Sequence, residues 1–227
     1  MSDLRGELER INFEPAPLRM HIIDSMRSAI EQGVLKPGDR LVEKDLCKQL
    51  GVSRTSLREA LRELEGEGVV AQNGARGLNV VRISRRDAEN IYRIRADLEA
   101  LIFQQFLENA DDVALCESER LCVQVIEAYK SSQFFVIIDA KRQFYDFICK
   151  IARNRVALEL LSRLTLRTAQ LRRKSVVRSE RQAQSIEEMK ALRDALLARD
   201  IDQARQVARV HVENAAVSAL PYVEEEA

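Results

Sequence analysis

Residues 43–64 constrain the fold of this chain more than any other segment. The first part has an apolar residue at every fourth position, at Val42, Leu46 and Leu50, which predicts a short helix with one apolar stripe. Gly51 follows, and glycine readily adopts the positive φ angle that a tight turn requires. The segment therefore predicts a helix, a turn and a second helix.

The second helix has one apolar face and one polar face. Its apolar residues have the spacing i, i+3, i+4 and i+7 and are Leu57, Ala60, Leu61 and Leu64. Ser53 can cap this helix, because its hydroxyl can accept a hydrogen bond from a free N–H group of the first turn. The polar positions are Arg54, Thr55, Ser56, Arg58 and Arg62. Hydrogen-bond donors therefore lie near the N-terminal end, where the helix dipole attracts anions.

This pair of helices has two interpretations. A glycine-containing turn and a second helix with a free polar side are what a helix-turn-helix needs to enter the major groove of DNA. The alternative is a helical hairpin with a solvated basic face, since the motif is short and degenerate.

A predicted β-hairpin favours the first interpretation. Residues 69–72 and 78–82 are β-prone runs, and Asn73-Gly74 between them is a strong hairpin signal. Arg76 lies between two glycines at the tip, so the backbone can approach a sugar-phosphate chain while the arginine reaches into a groove. Together these elements predict a winged helix-turn-helix that binds double-stranded DNA.

The composition is that of a globular protein. Hydrophobic residues make up 46% of the 227 positions and charged residues 32%. No apolar run approaches the roughly 18 residues of a membrane span, and the polar N-terminus does not resemble a signal peptide, so we expect a cytoplasmic protein with no membrane partner. The formal net charge is zero, which means that affinity for nucleic acid must come from a local basic patch. The four cysteines have no C-x-x-C spacing and are expected to be reduced.

Four regions are predicted along the chain. Residues 1–15 are polar and are interpreted as a flexible arm, and residues 16–83 form the winged domain, beginning with a helix over 18–32. Residues 84–220 form an all-α helical-bundle domain, and 221–227 are a short tail. The predicted fold class is therefore mainly α.

The second domain is predicted to contain about six helices. The first is opened by Ser84-x-x-Asp87, which has the spacing of a capping box. The predicted helices cover residues 84–109, 112–131, 134–152, 156–174, 185–199 and 202–220. Glycine is absent from residue 78 onward, which agrees with a domain made of helices and short connections.

The chain resembles the GntR family of transcriptional regulators, in the FadR-like branch with a helical C-terminal effector domain (FCD). Residues 34–41 and 50–62 carry the N-terminal family pattern. The looser C-terminal pattern consists of Arg95-x-x-Leu98-Glu99, Phe144 followed by Arg153-Asn154, and Asp200-x-x-x-Ala204 leading to His211. The resemblance implies a dimeric repressor or activator whose helical domain binds an effector and supplies the dimer contact. It also implies that the chain is not an enzyme.

The resemblance and the polar face of the second helix point to the same DNA-binding residues. The resemblance implies DNA contacts from Lys44, Arg54, Thr55, Ser56, Arg58, Gly74 and Arg76. Ser53 and Asn73 flank these residues and complete the predicted set. Arg54 and Arg58 are expected to contact guanine and phosphate, and Lys44 and Arg76 to hold the backbone or the minor groove. A symmetric dimer would read a near-palindromic operator.

The effector domain departs from the family pattern. Members of this branch often bind a divalent metal through an aspartate, a histidine four residues later and two further histidines. The matching positions are Lys141, Tyr145, Met189 and His211, so only one ligand of the usual type is kept. An ammonium, a phenol and a thioether do not make a zinc or manganese site, and we expect no metal and no other cofactor.

Lys141 lies on the apolar seam of its predicted helix, four residues after Ile137, and a buried lysine is costly unless acceptors or an anion meet it. One possibility is that Lys141 holds the acid group of a small organic acid, with Arg95 as a planar two-donor partner. The predicted effector-binding set is Arg95, Lys141, Tyr145, Met189 and His211. The other possibility is that Lys141 extends to the rim or pairs with a glutamate such as Glu99. The sensor would then be degenerate and DNA binding constitutive.

Seven basic residues form a run late in the chain: Arg163, Arg167, Arg172, Arg173, Lys174, Arg178 and Arg181. Most charge runs are solvated faces, and salt bridges to neighbouring helices are the default expectation. Inward orientation of Arg167 and Arg172 toward the effector pocket is the alternative. A third possible function is a helical-bundle enzyme with an added winged domain. The sequence argues against it, because it contains no Glu-x-x-His pairs, no His–carboxylate cluster and no nucleophile motif.

Overall fold

The computed structural model of the protein describes residues 17–74 and 77–223. These ranges contain ten α-helices, one two-stranded sheet and a short 3-10 turn at Leu220–Tyr222. The mainly α fold class is confirmed. Residues 1–15, predicted as a flexible arm, and residues 224–227 of the predicted tail lie outside the described residues.

The N-terminal part has the predicted order of helix, helix-turn-helix and hairpin. Its elements are α1 (Pro17–Glu31), α2 (Glu43–Leu50), α3 (Arg54–Gly66), β1 (Val70–Gln72) and β2 (Leu78–Val80). The strands pair antiparallel, with Val70 opposite Val80 and Gln72 opposite Leu78. The backbone N–H of Asn73 donates to the carbonyl of Gly77 over 2.8 Å and closes the hairpin. This hairpin is the wing that the Asn-Gly signal predicted.

The turn of the helix-turn-helix forms for the reasons that its sequence gives. Gly51 ends α2 with a φ angle of 66°, in the left-handed region where a side chain would be strained. All four apolar residues predicted for the second helix are buried in α3. Val42 departs from the prediction, because it stands at the N-cap of α2 and is 43% exposed. The backbone of Val42 is extended and not helical, so its side chain does not continue the apolar stripe of α2.

The C-terminal part contains seven helices among the described residues, one more than predicted. They are α4 (Arg85–Asn109), α5 (Asp112–Ser131), α6 (Phe134–Ile151), α7 (Arg155–Arg167), α8 (Ala169–Val176), α9 (Ser179–Leu197) and α10 (Ile201–Ala219). Ser84 caps α4 by accepting a hydrogen bond from the backbone N–H of Asp87, as the capping-box spacing predicted.

Two helix boundaries differ from the prediction. The helix expected over 156–174 is interrupted at Thr168, whose hydroxyl donates to the carbonyls of Leu164 and Thr165 at 3.3 Å. Such bonds from a side chain to the preceding turn compete with a regular helix. The helix expected from residue 185 begins at Ser179 instead, and this earlier start brings Arg181 onto the face of α9 that is buried.

The helices of this domain pack as a bundle in which α10 lies along α4, and α5 contacts both α6 and α9. The core contains Phe103, Phe106 and Phe144. Ile94 on α4 is 54% exposed. No helix in the described ranges is long and apolar enough to cross a lipid bilayer.

The two domains contact each other through α7 and α8. Leu166 of α7 belongs to the apolar core of the winged domain. The amide of Gln170 on α8 donates to the carbonyl of Leu35 at 3.3 Å and also to that of Ile30. These contacts fix the position of α8 against the end of α1.

Candidate nucleic-acid interface and buried charge network

The N-terminal end of α3 presents hydrogen-bond donors to solvent. The Ser53 hydroxyl accepts a hydrogen bond from the backbone N–H of Ser56 at 3.2 Å, and the two hydroxyl oxygens are 3.0 Å apart. Arg54 and Thr55 are exposed beside this cap, while the opposite face of α3 is buried in the winged domain. The positive end of the helix dipole therefore points outward together with a guanidinium group, as anion recognition requires.

Arg58 lies one turn further along α3 and already has a partner. Its Nε lies 2.9 and 3.0 Å from the two carboxylate oxygens of Glu43, which belongs to the first turn of α2. The hydrogen bond from Arg58 lowers the pKa of the Glu43 carboxyl, and the bond to Glu43 raises the pKa of the guanidinium. The pair connects the two helices of the motif and orients the two terminal NH2 groups of Arg58.

The remaining predicted DNA contacts lie on α2 and on the wing. Lys44 is exposed on the first turn of α2, and Asn73 and Gly74 are exposed at the tip of the wing. Gly74 has a φ angle of 51°, which a side chain would adopt only with strain. Arg76, predicted to reach a groove from the wing, lies outside the described residues.

Inside the helical domain, Arg95, Glu99 and Tyr145 form a buried group. Arg95 on α4 donates to Oε1 of Glu99 from Nε at 3.2 Å and from Nη2 at 2.9 Å, and the Tyr145 hydroxyl of α6 donates to Oε2. Burial works to raise the pKa of the Glu99 carboxyl, but Arg95 and Lys141 hold it below its ordinary value. Burial, and then Glu99, raise the pKa of Tyr145 well above its usual range. Glu99 is therefore a carboxylate and Tyr145 a neutral phenol.

His211 on α10 joins Lys141 to a second ion pair. The Lys141 ammonium is 3.0 Å from Nε2 of His211, and Nδ1 of the same ring is 2.6 Å from Oε2 of Glu188 on α9. Arg181 donates to both carboxylate oxygens of Glu188 over 2.9–3.0 Å and to the backbone carbonyl of His211 over 3.2 Å. Burial and then Lys141 lower the pKa of His211 to about 4, so the ring is neutral. Its Nε2 then accepts from Lys141 and its Nδ1–H donates to Glu188.

Positive charge is in excess in this buried network. Three cations, Arg95, Lys141 and Arg181, meet two carboxylates, Glu99 and Glu188. Removing ions from water is costly, and Arg95 and Arg181 are buried while Lys141 is partly exposed. The excess positive charge lies where α4, α6, α9 and α10 meet.

Arg172 on α8 adds a further buried cation. Its Nη2 donates to Oε1 of Glu31, the last residue of α1, at 3.2 Å, and its Nε has no hydrogen-bond partner among the described residues. Burial lowers the pKa of Arg172, Glu31 opposes this effect, and the nearby charge of Arg95 adds to it. Arg172 therefore lies close enough to feel the charge of Arg95 in the helical domain while it is bonded to Glu31 of the winged domain.

Four of the five predicted effector residues belong to this network: Arg95, Lys141, Tyr145 and His211. Met189 instead packs in the apolar core with 2% of its surface exposed, and its neighbour Glu188 faces His211. The sequence reasoning missed Glu188 and Arg181. Their seven-residue spacing puts them on one face of α9, but residue 181 fell before the predicted start of that helix.

The residues at the family's metal-binding positions do not fit a divalent metal. Lys141 presents an ammonium, Tyr145 donates its proton to Glu99, and Met189 is buried among apolar side chains. Zinc and manganese take imidazole, thiolate or carboxylate ligands. In residues 17–74 and 77–223, no three side chains of the types His, Cys, Asp and Glu are grouped as metal ligands.

Arg172 forms the expected salt bridge to a neighbouring helix, with Glu31 of α1 at 3.2 Å. The expectation of a solvated face is wrong for Arg181, which is buried and pairs with Glu188 on its own helix. Arg178, in contrast, forms an exposed pair with Glu180 at 2.9 Å. Burial of a guanidinium requires a carboxylate partner on another turn or another helix, which the local charge pattern does not reveal.

A winged helix-turn-helix with an exposed cationic helix end, joined to a helical bundle with a buried charge network, defines a DNA-binding transcriptional regulator. Comparison with known families gives the same result. Residues 18–80 match the family described as bacterial regulatory proteins of the gntR family, and residues 90–214 match the FCD domain. The chain belongs to the GntR family of regulators with an FCD domain.

Similar proteins carry the same description. The chain is 29% identical over 149 residues to the uncharacterized HTH-type transcriptional regulator YdhC of Bacillus subtilis, covering 65% of this chain and 66% of that protein. It is 29% identical over 150 residues to the HTH-type transcriptional regulator McbR of Escherichia coli, covering 66% and 68%. Both matches span about two thirds of the relative's length.

The fold is also found in solved structures. E. coli McbR/YncC superposes with a TM-score of 0.78 at 26% identity, covering 91% of this chain and 99% of that one. A putative GntR regulator from Rhodococcus sp. RHA1 gives a TM-score of 0.71 at 24% identity, covering 92% and 100%, and shows the shared fold alone. The chain is thus a DNA-binding regulator and not an enzyme.

Proposed function

We propose that this regulator binds a near-palindromic operator as a homodimer, represses transcription from it, and responds to a small organic acid bound in the helical domain. The observation that carries the proposal is the capped, cationic end of α3, which is exposed to solvent. Repression is the simplest output, because a protein bound across a promoter excludes other proteins from it. The protein would act in the cytoplasm on chromosomal DNA.

A dimer explains how one short helix can select a site. Each α3 would enter the major groove of one half-site, and a two-fold axis would place the half-sites one helical turn, or a multiple of it, apart. Arg54 would contact base edges, while Lys44 and the wing would contact phosphates.

An apolar surface on α4 supports the homodimer. Ile94 and Leu101 are 54% and 41% exposed and lie seven residues apart, on one face of the helix. Covering such residues is favourable, and interfaces between identical subunits are enriched in them. Light scattering coupled to size exclusion tests this step. We expect Ile94→Glu with Leu101→Glu to give monomers, and Val113→Glu, at an exposed residue on α5, to leave the dimer intact. A wild-type monomer at micromolar concentration would contradict it.

The excess of buried cations supports an acidic effector. A carboxylate placed near Lys141 and Arg95 would neutralise the unbalanced positive charge, and a guanidinium offers two parallel donors to it. We propose that Arg95, Lys141, Tyr145 and His211 line this site and that binding needs no metal or other cofactor. The proposal rests on the charge balance and on the chemistry of the donors present.

Arg172 supports a route from this site to DNA. Its guanidinium responds to the charge of Arg95 and donates to Glu31 at the end of α1. An acid that draws Arg172 or Arg95 toward itself would weaken the contact with Glu31 and change the preferred angle of the winged domain. The ligand would thereby shift an equilibrium between domain arrangements.

One observation favours a second candidate, a degenerate sensor with constitutive DNA binding. Lys141 already donates to His211, and both oxygens of Glu99 already accept hydrogen bonds from Arg95 and Tyr145. Internal partners of this kind can seal the network without any ligand.

A thermal-shift screen of small mono- and dicarboxylic acids distinguishes the two candidates, because a ligand stabilises the fold that binds it. We expect at least one acid to raise the Tm of the wild type by several degrees and to have no such effect on Lys141→Met. Lys150→Met, at an exposed lysine on the same helix, is the matched control and should respond like the wild type. If no acid shifts the Tm, the sealed sensor is the better description.

A further inference from the structure

A large cleft separates the winged domain from the helical domain, away from the buried network. Its volume is about 1130 Å³. One wall comes from the end of α1, the following turn and the hairpin, and the other from α7, α8 and the residues after α10. Ligand sites are common at domain interfaces and measure roughly 300–1,000 Å³ for small molecules. The cleft can therefore accommodate a ligand of nucleotide size.

The charge of the cleft is strongly positive. Lys36, Arg167, Arg173 and Lys174 line it, and Asp39 is the acidic residue of the lining. One oxygen of Asp39 is already used, because it accepts a hydrogen bond from the backbone N–H of Lys36 over 2.8 Å. Arg82 also lines the cleft and has a partner within the protein. Cations from both domains thus converge on one space.

Arg173 and Arg167 lie close to two glycines of the winged domain. Arg173 donates to the carbonyl of Gln32 and occupies the space where a Cβ on Gly33 would lie, 2.0 Å from its Nη1. Gly33 has a φ angle of 69°, a conformation that an L side chain would adopt only with strain. A Cβ on Gly68 would lie 3.6 Å from Nε of Arg167. Arg173 is thus bonded to the winged domain although it is exposed, and Arg167 lies partly buried beside Gly68.

Apart from Gln170, the rest of the lining is apolar, and it includes one aromatic ring. Val69 and Val80 come from the winged domain, and Leu166 and Leu171 from the helical domain. The ring of Tyr222 lies at the same cleft, with the ammonium of Lys174 5.8 Å from its centre. A flat group could pack against this surface while its charged end meets the cations.

We propose that this cleft binds an organic phosphate with at least two negative charges and a flat, aromatic body, a ligand of the nucleotide class. Guanidinium and ammonium groups from two walls match the oxygens of a phosphate chain, and the apolar wall matches the base. The site is separate from the acid site around Lys141 and does not depend on it. Because both domains contribute to it, a bound ligand would fix their relative orientation.

Titration calorimetry of the full chain at low salt, without DNA, tests the proposal, with ADP, pyrophosphate and adenosine as probes. ADP is expected to bind more tightly than pyrophosphate or adenosine. The double variant Lys36→Gln with Lys174→Gln neutralises one exposed cation on each wall and should weaken ADP binding at least tenfold. Arg163→Gln, at an exposed arginine of α7 outside the cleft lining, should leave the affinity unchanged. Circular dichroism checks that each variant is folded.

Three results would overturn the proposal. The first is the absence of measurable binding of both ADP and pyrophosphate to the wild type. In the second, the cleft variant keeps its affinity while Arg54→Gln loses it, which would assign the nucleotide to the DNA-binding face. In the third, Arg163→Gln weakens binding as much as the cleft variant, which would mean attraction by net charge alone. No DNA is used, so none of these results bears on operator binding.

Discussion

The Lys141 ammonium lies 3.0 Å from Nε2 of His211, although the two residues are 70 positions apart in the chain. A protonated ring could not accept this bond, and burial followed by Lys141 lowers the pKa of His211 to about 4. The N–H group at Nδ1, the other ring nitrogen, donates a hydrogen bond to the Glu188 carboxylate. A histidine is thereby held in its neutral form inside a network of ions.

The neutral ring makes the stability of the protein depend on pH. Below pH 6.5 the unfolded chain binds a proton at His211 that the folded chain does not bind until pH falls to about 4. The contribution of His211 to the free energy of unfolding is therefore fully present above pH 6.5 and is lost as pH falls from 6.5 toward 4. We expect this residue to account for a loss of about 2 kcal/mol between pH 7 and pH 5, measured by urea unfolding.

His211→Gln tests this assignment, because an amide can accept from Lys141 and donate to Glu188 without titrating. The free energy of unfolding of His211→Gln should therefore lack the loss of about 2 kcal/mol that His211 causes between pH 7 and pH 5. His21→Gln, at an exposed residue of α1, is the control and should keep the wild-type pH dependence. An unchanged pH dependence in His211→Gln would show that other groups produce the loss.

The contact between Arg172 and Glu31 predicts a cost for removing the carboxylate. Glu31→Ala leaves a largely buried guanidinium whose Nε already has no hydrogen-bond partner among the described residues. Both side chains are partly exposed, so we expect a loss of about 1–2 kcal/mol in urea unfolding, less than for a fully buried pair. Glu65→Ala, at an exposed glutamate of α3, should cost much less. If the two substitutions lower the free energy of unfolding equally, Glu31 does not link the two domains through Arg172.

The pair of Arg58 and Glu43 predicts an effect on DNA affinity. Glu43 holds Arg58 through Nε and adds a negative charge beside the DNA-binding face. Glu43→Gln should raise the affinity for all duplexes by roughly two- to fivefold and lower the preference for the selected site, because Arg58 loses its fixed orientation. Fluorescence anisotropy with specific and random duplexes measures both quantities.

Glu59→Gln is the matched control for this substitution, since it removes an exposed carboxylate from α3 itself. It should not lower the preference for the selected site. If the two variants behave alike, loss of negative charge explains the result and Arg58 is not oriented by Glu43.

Features determined by nearby residues could be predicted from the sequence. The buried face of α3 follows from apolar residues three and four positions apart, and its cap from one serine. The wing follows from two β-prone runs around an Asn-Gly pair. In each case the residues that determine the structure are neighbours on one element, so their spacing carries the information.

Features determined by partners on other elements could not be predicted. Arg172 was interpreted with the basic run around it, but its position depends on Glu31, 141 residues away. His211 could not be distinguished from a core histidine until Lys141 and Glu188 were found on either side of its ring. The break at Thr168 depends on side-chain bonds that compete with the helix and leave no periodic signal.

The central claim is that α3 reads DNA through its exposed end, and the most direct test compares Arg54→Ala with Lys44→Ala in anisotropy titrations against duplexes selected from a random library. Arg54→Ala should cost on the order of 1–3 kcal/mol and relax the preference at one position of each half-site. Lys44→Ala should weaken binding to all sequences alike and reduce the salt dependence by about one counterion. If both variants bind the selected duplex as the wild type does, with its preference intact, α3 is not the element that reads DNA.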